Sequence, residues 1–127
     1  MDCISLKQTT VKMPMPIAVI SVDSLNHKLS DFKDLTSRFD IVYISDTEEG
    51  QNMYKKLLSM ALIDNILVTD KLNPPNDYEP IASVRQRFQD IVNDCRDSCA
   101  CIIVSHHSVI NAWRPDFIKN EWEVIVD

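Results

Sequence analysis

Cys101-Ile102-Ile103-Val104-Ser105-His106-His107 is the stretch that decides the fold. Four apolar residues in an unbroken run read as a strand buried on both faces, as in a parallel sheet. Working outward, Ile17 to Val22, Ile41 to Ile44 and Ile66 to Val68 have the same character. Each run gives way to polar residues at its carboxyl end: Ser21-Val22-Asp23, Ser45-Asp46-Thr47, Thr69-Asp70-Lys71 and Ser105-His106-His107. Open α/β sheets place their chemistry just past the carboxyl ends of the strands. Ser21, Asp23, Ser45, Asp46, Ser105 and His106 are therefore the first candidate site residues.

Between the runs the period changes to that of a helix. Leu29 to Arg38 reads as a short amphipathic helix with Ser30 as N-cap. Glu48 to Leu62 sets Met53, Leu57, Leu58 and Ala61 on one face, with Thr47 to cap it and two acids in its first turn. Pro74 and Pro75 break the chain, with Asn73, Asn76 and Asp77 as turn residues. Glu79 to Cys95 follows, with Pro80 in its first turn and Val84, Phe88, Ile91 and Val92 as its buried stripe. Ser108 to Trp113 is a short helix stopped before Pro115, and Trp122 to Val126 a closing fifth strand. Strands alternating with helices imply parallel pairing through right-handed crossovers. The expectation is one α/β domain over residues 17–127, a three-layer α/β/α arrangement around a mainly parallel sheet of about five strands. Residues 1–16, broken by Pro14 and Pro16, form an N-terminal arm or edge strand.

A chain of 127 residues, 45% apolar and 25% charged, suits a single domain with its own core. No apolar run approaches the ~20 residues of a membrane span, and Met1 to Thr10 lacks an apolar core of signal-peptide length. A cytoplasmic protein away from membranes is expected. The net charge of −6 argues against nucleic acid, which needs lysine and arginine along its phosphates. It suits a basic protein partner. The chain has one glycine, Gly50, and so no glycine-rich loop to cradle a nucleotide phosphate. Four cysteines in such a chain are expected to stay reduced.

Ile102 to Val104, then Ser105-His106-His107-Ser108-Val109-Ile110-Asn111-Ala112-Trp113-Arg114, resembles a stretch of the haloacid dehalogenase (HAD) superfamily core. The likeness is to the phosphatase domain of phage-type polynucleotide kinases, and it runs from about Ile17 to Val126. That family has here an apolar strand, two magnesium-binding acids and a short helix ending in tryptophan-arginine. The apolar frame and Trp113-Arg114 are similar; Ser105, His106 and His107 stand where the acids belong. Ala18 to Leu25 looks like the family's first motif. The resemblance puts Ser21 at the nucleophile position and Asp23 at the general acid/base position. Ser45 matches the strand-end hydroxyl of the second motif. Pro80 to Arg85 lies where the family has a lysine, and Arg85 is the nearest cation.

The family's chemistry needs a carboxylate to attack phosphorus and acids to hold magnesium, a cation that wants hard oxygen ligands. A serine without a base is a poor nucleophile. The resemblance therefore implies a degenerate phosphatase fold without a cap domain, acting as a protein-binding or regulatory factor with no cofactor. A phage-encoded factor directed at a host or viral protein is the setting it suggests. The alternative is a divergent phosphatase, acting on a nucleotide or a 3′-phosphorylated end, with Asp23, Asp46 and Asp70 converging on magnesium.

Four further constellations follow from the residues. Ser21 with His106 as base and Asp23 as orienter would make a hydrolase. Asp46 at a strand end would suit a phosphoacceptor, but only one acid accompanies the first strand. Cys95, Cys99 and Cys101 with His106 have a spacing that could take zinc, although cysteines at a buried strand also serve as small apolar residues. Met13, Met15, Trp113 and Trp122 are candidates for a partner-binding patch. Self-association through Leu57 to Ile63 or an edge strand would give a homodimer.

Overall fold

The computed structural model describes residues 17–27, 29–30, 39–60, 65–96, 100–116 and 123–125. Four parallel strands form the sheet's body: β1 (Ile17–Ser21), β2 (Ile41–Ser45), β3 (Ile66–Thr69) and β4 (Cys101–Ser105). Their spatial order is β3-β2-β4-β1. A three-residue strand, β5 (Glu123–Ile125), runs antiparallel along the outer side of β1. The sheet thus has four parallel strands and one short antiparallel strand at its edge.

β4 lies between β1 and β2. Its residues pair with β1 from Ile17–Cys101 to Ser21–Ser105, and with β2 from Ile41–Cys101 to Ile44–Val104. Side chains alternate across the sheet because a strand's period is two. Ala18, Ile20, Val42, Ile44, Ile102 and Val104 enter one cluster. Ile17, Val19, Cys101 and Ile103 enter the other. Every residue of β1 and β4 is buried, which explains their unbroken apolar runs.

Helices cover both faces. α1 (Val22–His27) and α2 (Glu48–Ser59) bring Val22, Leu25, Met53 and Leu57 to the first cluster. α3 (Ile81–Arg96) and α4 (His107–Trp113) bring Val84, Phe88, Ile91, Val92, Val109 and Ile110 to the second. The stripe read from the sequence on α3 is the buried one. Thr47 caps α2, its hydroxyl accepting the Gly50 N–H at 3.0 Å.

α1 corrects the sequence reading. The first strand stops at Ser21, one residue early, because the Ser21 hydroxyl accepts the Ser24 N–H at 3.2 Å and starts a helix at once. Leu29 and Ser30 are helical, while the rest of the helix expected to Arg38 lies outside the described residues. α2 ends at Ser59; residues 61–64, with the proposed self-association segment's end, also lie outside. A short 3-10 turn, Asp70–Leu72, follows β3 and buries Leu72. The arm over residues 1–16 lies outside the described residues too.

Candidate functional site

Three serines close the carboxyl ends of the three adjacent strands β2, β4 and β1. Ser21, Ser45 and Ser105 are all buried. A buried hydroxyl needs a partner, and each finds one in its own chain. Ser21 Oγ donates to Ser24 Oγ at 2.8 Å. Ser105 Oγ donates to the Leu72 carbonyl at 2.7 Å, fastening the turn after β3 over the end of β4. Ser45 Oγ lies 3.1 Å from His106 Nε2 and 3.2 Å from Thr47 Oγ1.

His106 is the hub of this end of the sheet. Its Nε2 also lies 2.9 Å from Thr47 Oγ1. Burial pushes its pKa below the usual histidine value, against the pull of Glu49 and then Asp23. The hydrolase pairing of Ser21 with His106 is not what forms: β1 and β4 do neighbour each other, but the histidine turns to β2 and Ser21 turns to Ser24.

Gly50 sets how closely α2 approaches β2. A Cβ there would collide with the Ser45 carbonyl oxygen and stand 2.6 Å from Ser45 Oγ. A side-chain-free position is what allows the helix to seat on the strand end. The space above Ser45 is filled by backbone.

Open space lies beside this hub. A cleft of about 270 Å³ runs between α1 and α2, lined by Val22, Asp23, Asn26, Glu49, Asn52, Met53 and Lys56. Its place follows from the strand order. β4 separates β1 from β2 and sends its own helix to the opposite face. α1 and α2 thus pack in the same cluster and flank the end of β4 without a helix between them. Lys56 Nζ donates to Asn26 Oδ1 at 2.6 Å across the cleft.

The carboxylates expected to share a cation are dispersed. Asp23 lines the cleft. Asp46 Oδ1 accepts from Gln51 Nε2 at 2.7 Å, and Asp70 begins the 3-10 turn. Among the described residues no three histidine, cysteine or acidic side chains gather to hold a metal ion, so neither the magnesium set nor a zinc set with His106 forms there. Cys95 and Cys101 are buried in the core, their thiols hydrogen-bonded to each other, a contact that lowers the Cys95 pKa against the effect of burial. Cys99, Met13, Met15 and Trp122 lie outside the described residues.

Arg85 makes no hydrogen bond to the three serines at this end of the sheet. Its Nε donates to the Ala112 carbonyl at the end of α4. The arginine that organises this end is Arg87, which the sequence reading passed over. It forms two 2.7 Å hydrogen bonds with the Glu79 carboxylate and donates to the Asp70, Lys71 and Asn73 carbonyls. The Arg87 contact, followed by the Ser83 hydroxyl, holds the Glu79 pKa below its ordinary value. The Glu79/Ser83/Arg87 spacing, i to i+4 and i+8, was the available signal.

No helix among the described residues is long and apolar enough to cross a membrane. Compared with protein-family models and with curated proteins, the chain matches none.

Proposed function

We propose that this chain is a catalytically degenerate HAD-like protein, three layers deep and without a cap, that acts by binding another protein. The observation that carries this reading is the serine at each of three adjacent strand ends, every one buried and hydrogen-bonded within the chain. The family's reaction needs carboxylates at the Ser21 and Ser105 ends, free to meet phosphorus and magnesium, while Ser45 matches the family's own hydroxyl. A buried hydroxyl in a closed network does neither.

The binding surface in this reading is the cleft between α1 and α2. Asp23 and Glu49 offer carboxylates, and Val22 and Met53 offer apolar wall. That combination suits a lysine or arginine of a basic partner, whose methylene stem packs while its charge pairs. The likeness to a phage-type enzyme makes a host or viral protein the partner to try first. The rival reading, a divergent phosphatase, draws on Asp23 and Glu49 lying near His106.

Magnesium-dependent hydrolysis of a phosphomonoester and of a 3′-phosphorylated oligonucleotide, with Asp23→Asn in parallel, separates the two. The expected result is no turnover by either protein. Turnover lost on Asp23→Asn would make Asp23 catalytic and end the binding-protein reading.

A further inference from the structure

We propose that the α3–α4 face carries a second docking groove, one that receives an acidic segment of a protein partner. The groove is about 370 Å³ and is lined by Ala82, Arg85, Gln86, Gln89 and Trp113. Positions 82, 85, 86 and 89 fall on one side of α3, at i, i+3, i+4 and i+7. It lies on the opposite face of the sheet from the Asp23–Glu49 cleft and works whether or not that cleft binds anything.

Charge decides the occupant. The chain carries 19 acidic residues and a net charge of −6, yet among the described residues no carboxylate lines this groove. Asp90, one turn beyond Gln86, is engaged by Gln86 Nε2 at 2.9 Å and lies 3.9 Å from Lys71 Nζ. The cation in the groove is Arg85. Its Nε is anchored on the Ala112 carbonyl at 3.1 Å, and its terminal amino groups make no hydrogen bond or ion pair among the described residues. An anchored guanidinium with two amino groups to spare is suited to bidentate capture of a carboxylate.

Trp113 supplies the apolar anchor already fixed in place. Its ring stacks on Phe88 with centroids 4.7 Å apart and 29° between planes. Its Nε1 donates to Gln89 Oε1 at 2.8 Å, and the Arg114 guanidinium lies 5.0 Å from the ring centre. A contact residue ordered before binding spares the partner that entropy cost, and tryptophan and arginine together are the usual centre of a protein contact. A nucleic acid strand would need cations spread along its phosphates, and among the described residues this groove has one in its lining.

The test is calorimetric titration of the full chain with a short acetylated peptide of alternating glutamate and leucine. The controls are the same peptide with lysine for glutamate, and a thymidine oligonucleotide. The expected result is saturable binding of the glutamate peptide alone. Arg85→Glu should weaken it by roughly tenfold or more, as when a charge-assisted pair becomes a repulsion. The indole N–H resonance of Trp113 should shift during the titration, and it reports on the groove without any substitution. No binding, equal binding of the lysine peptide or the oligonucleotide, or indifference to Arg85→Glu would each overturn the proposal.

Discussion

At Gly50 a single methyl group meets two opposed effects. Alanine favours a helix interior over glycine by about 1 kcal/mol. Here its Cβ would strike the Ser45 carbonyl, backbone at a buried strand end that has no room to retreat. Overpacking of that kind costs roughly 1–3 kcal/mol, so Gly50→Ala should lower the urea midpoint; a raised midpoint would mean that α2 sits farther from β2 than described. His106 gives the molecule an acid-side sensitivity. Its pKa is depressed on folding, so between the unfolded value of about 6.5 and the lower folded one the unfolded chain binds more protons. Stability from this group is complete above that window and falls as pH drops through it. Unfolding measured against pH should show the decline, and His106→Asn should flatten it; an equal slope in both proteins would place its origin elsewhere.

Among the elements, the connection from β3 to α3 depends most on one side chain. Arg87 gathers three carbonyls of residues 70–73 and the Glu79 carboxylate. Leucine at this position would leave those carbonyls and the Glu79 carboxylate without their donor and loosen the connection. Amide exchange over residues 70–79 should quicken in Arg87→Leu, while exchange in β1 and β4 changes less. Uniform quickening throughout would instead mark Arg87 as part of the global core. The stripes of α2 and α3 and the four apolar runs were legible because burial leaves a local period in the sequence. α1 was not, since Val22-Asp23-Ser24 reads as the tail of a strand until the Ser21 cap is recognised. The site was half legible: the serines stood at their strand ends, but a histidine pairing 61 residues away with Ser45 leaves no local trace. Pairing of distant strands is chosen by packing, which one sequence does not spell out.

For the whole molecule, the strand order leaves β3 at one margin of the sheet. Leu67 on that strand is 48% exposed, and an apolar edge strand invites pairing between copies. Leu67→Lys should reduce self-association in sedimentation at high concentration, with stability changed by no more than about 0.5 kcal/mol. Unaltered sedimentation of a self-associating protein would move the contact away from this edge. The position of β4 has a consequence for how the chain is made. β1 and β2 never become neighbours: β2 can pair with β3, but β1 has no parallel partner until the strand that begins at Cys101. A nascent chain emerging from the ribosome therefore carries one of its most apolar segments, β1, without its parallel neighbour until β4 is made, and such exposure is what chaperones act on. β4 is the sheet's keystone, and a message cut short before it leaves β1 apart from β2 and β3, with no smaller version of this sheet to form.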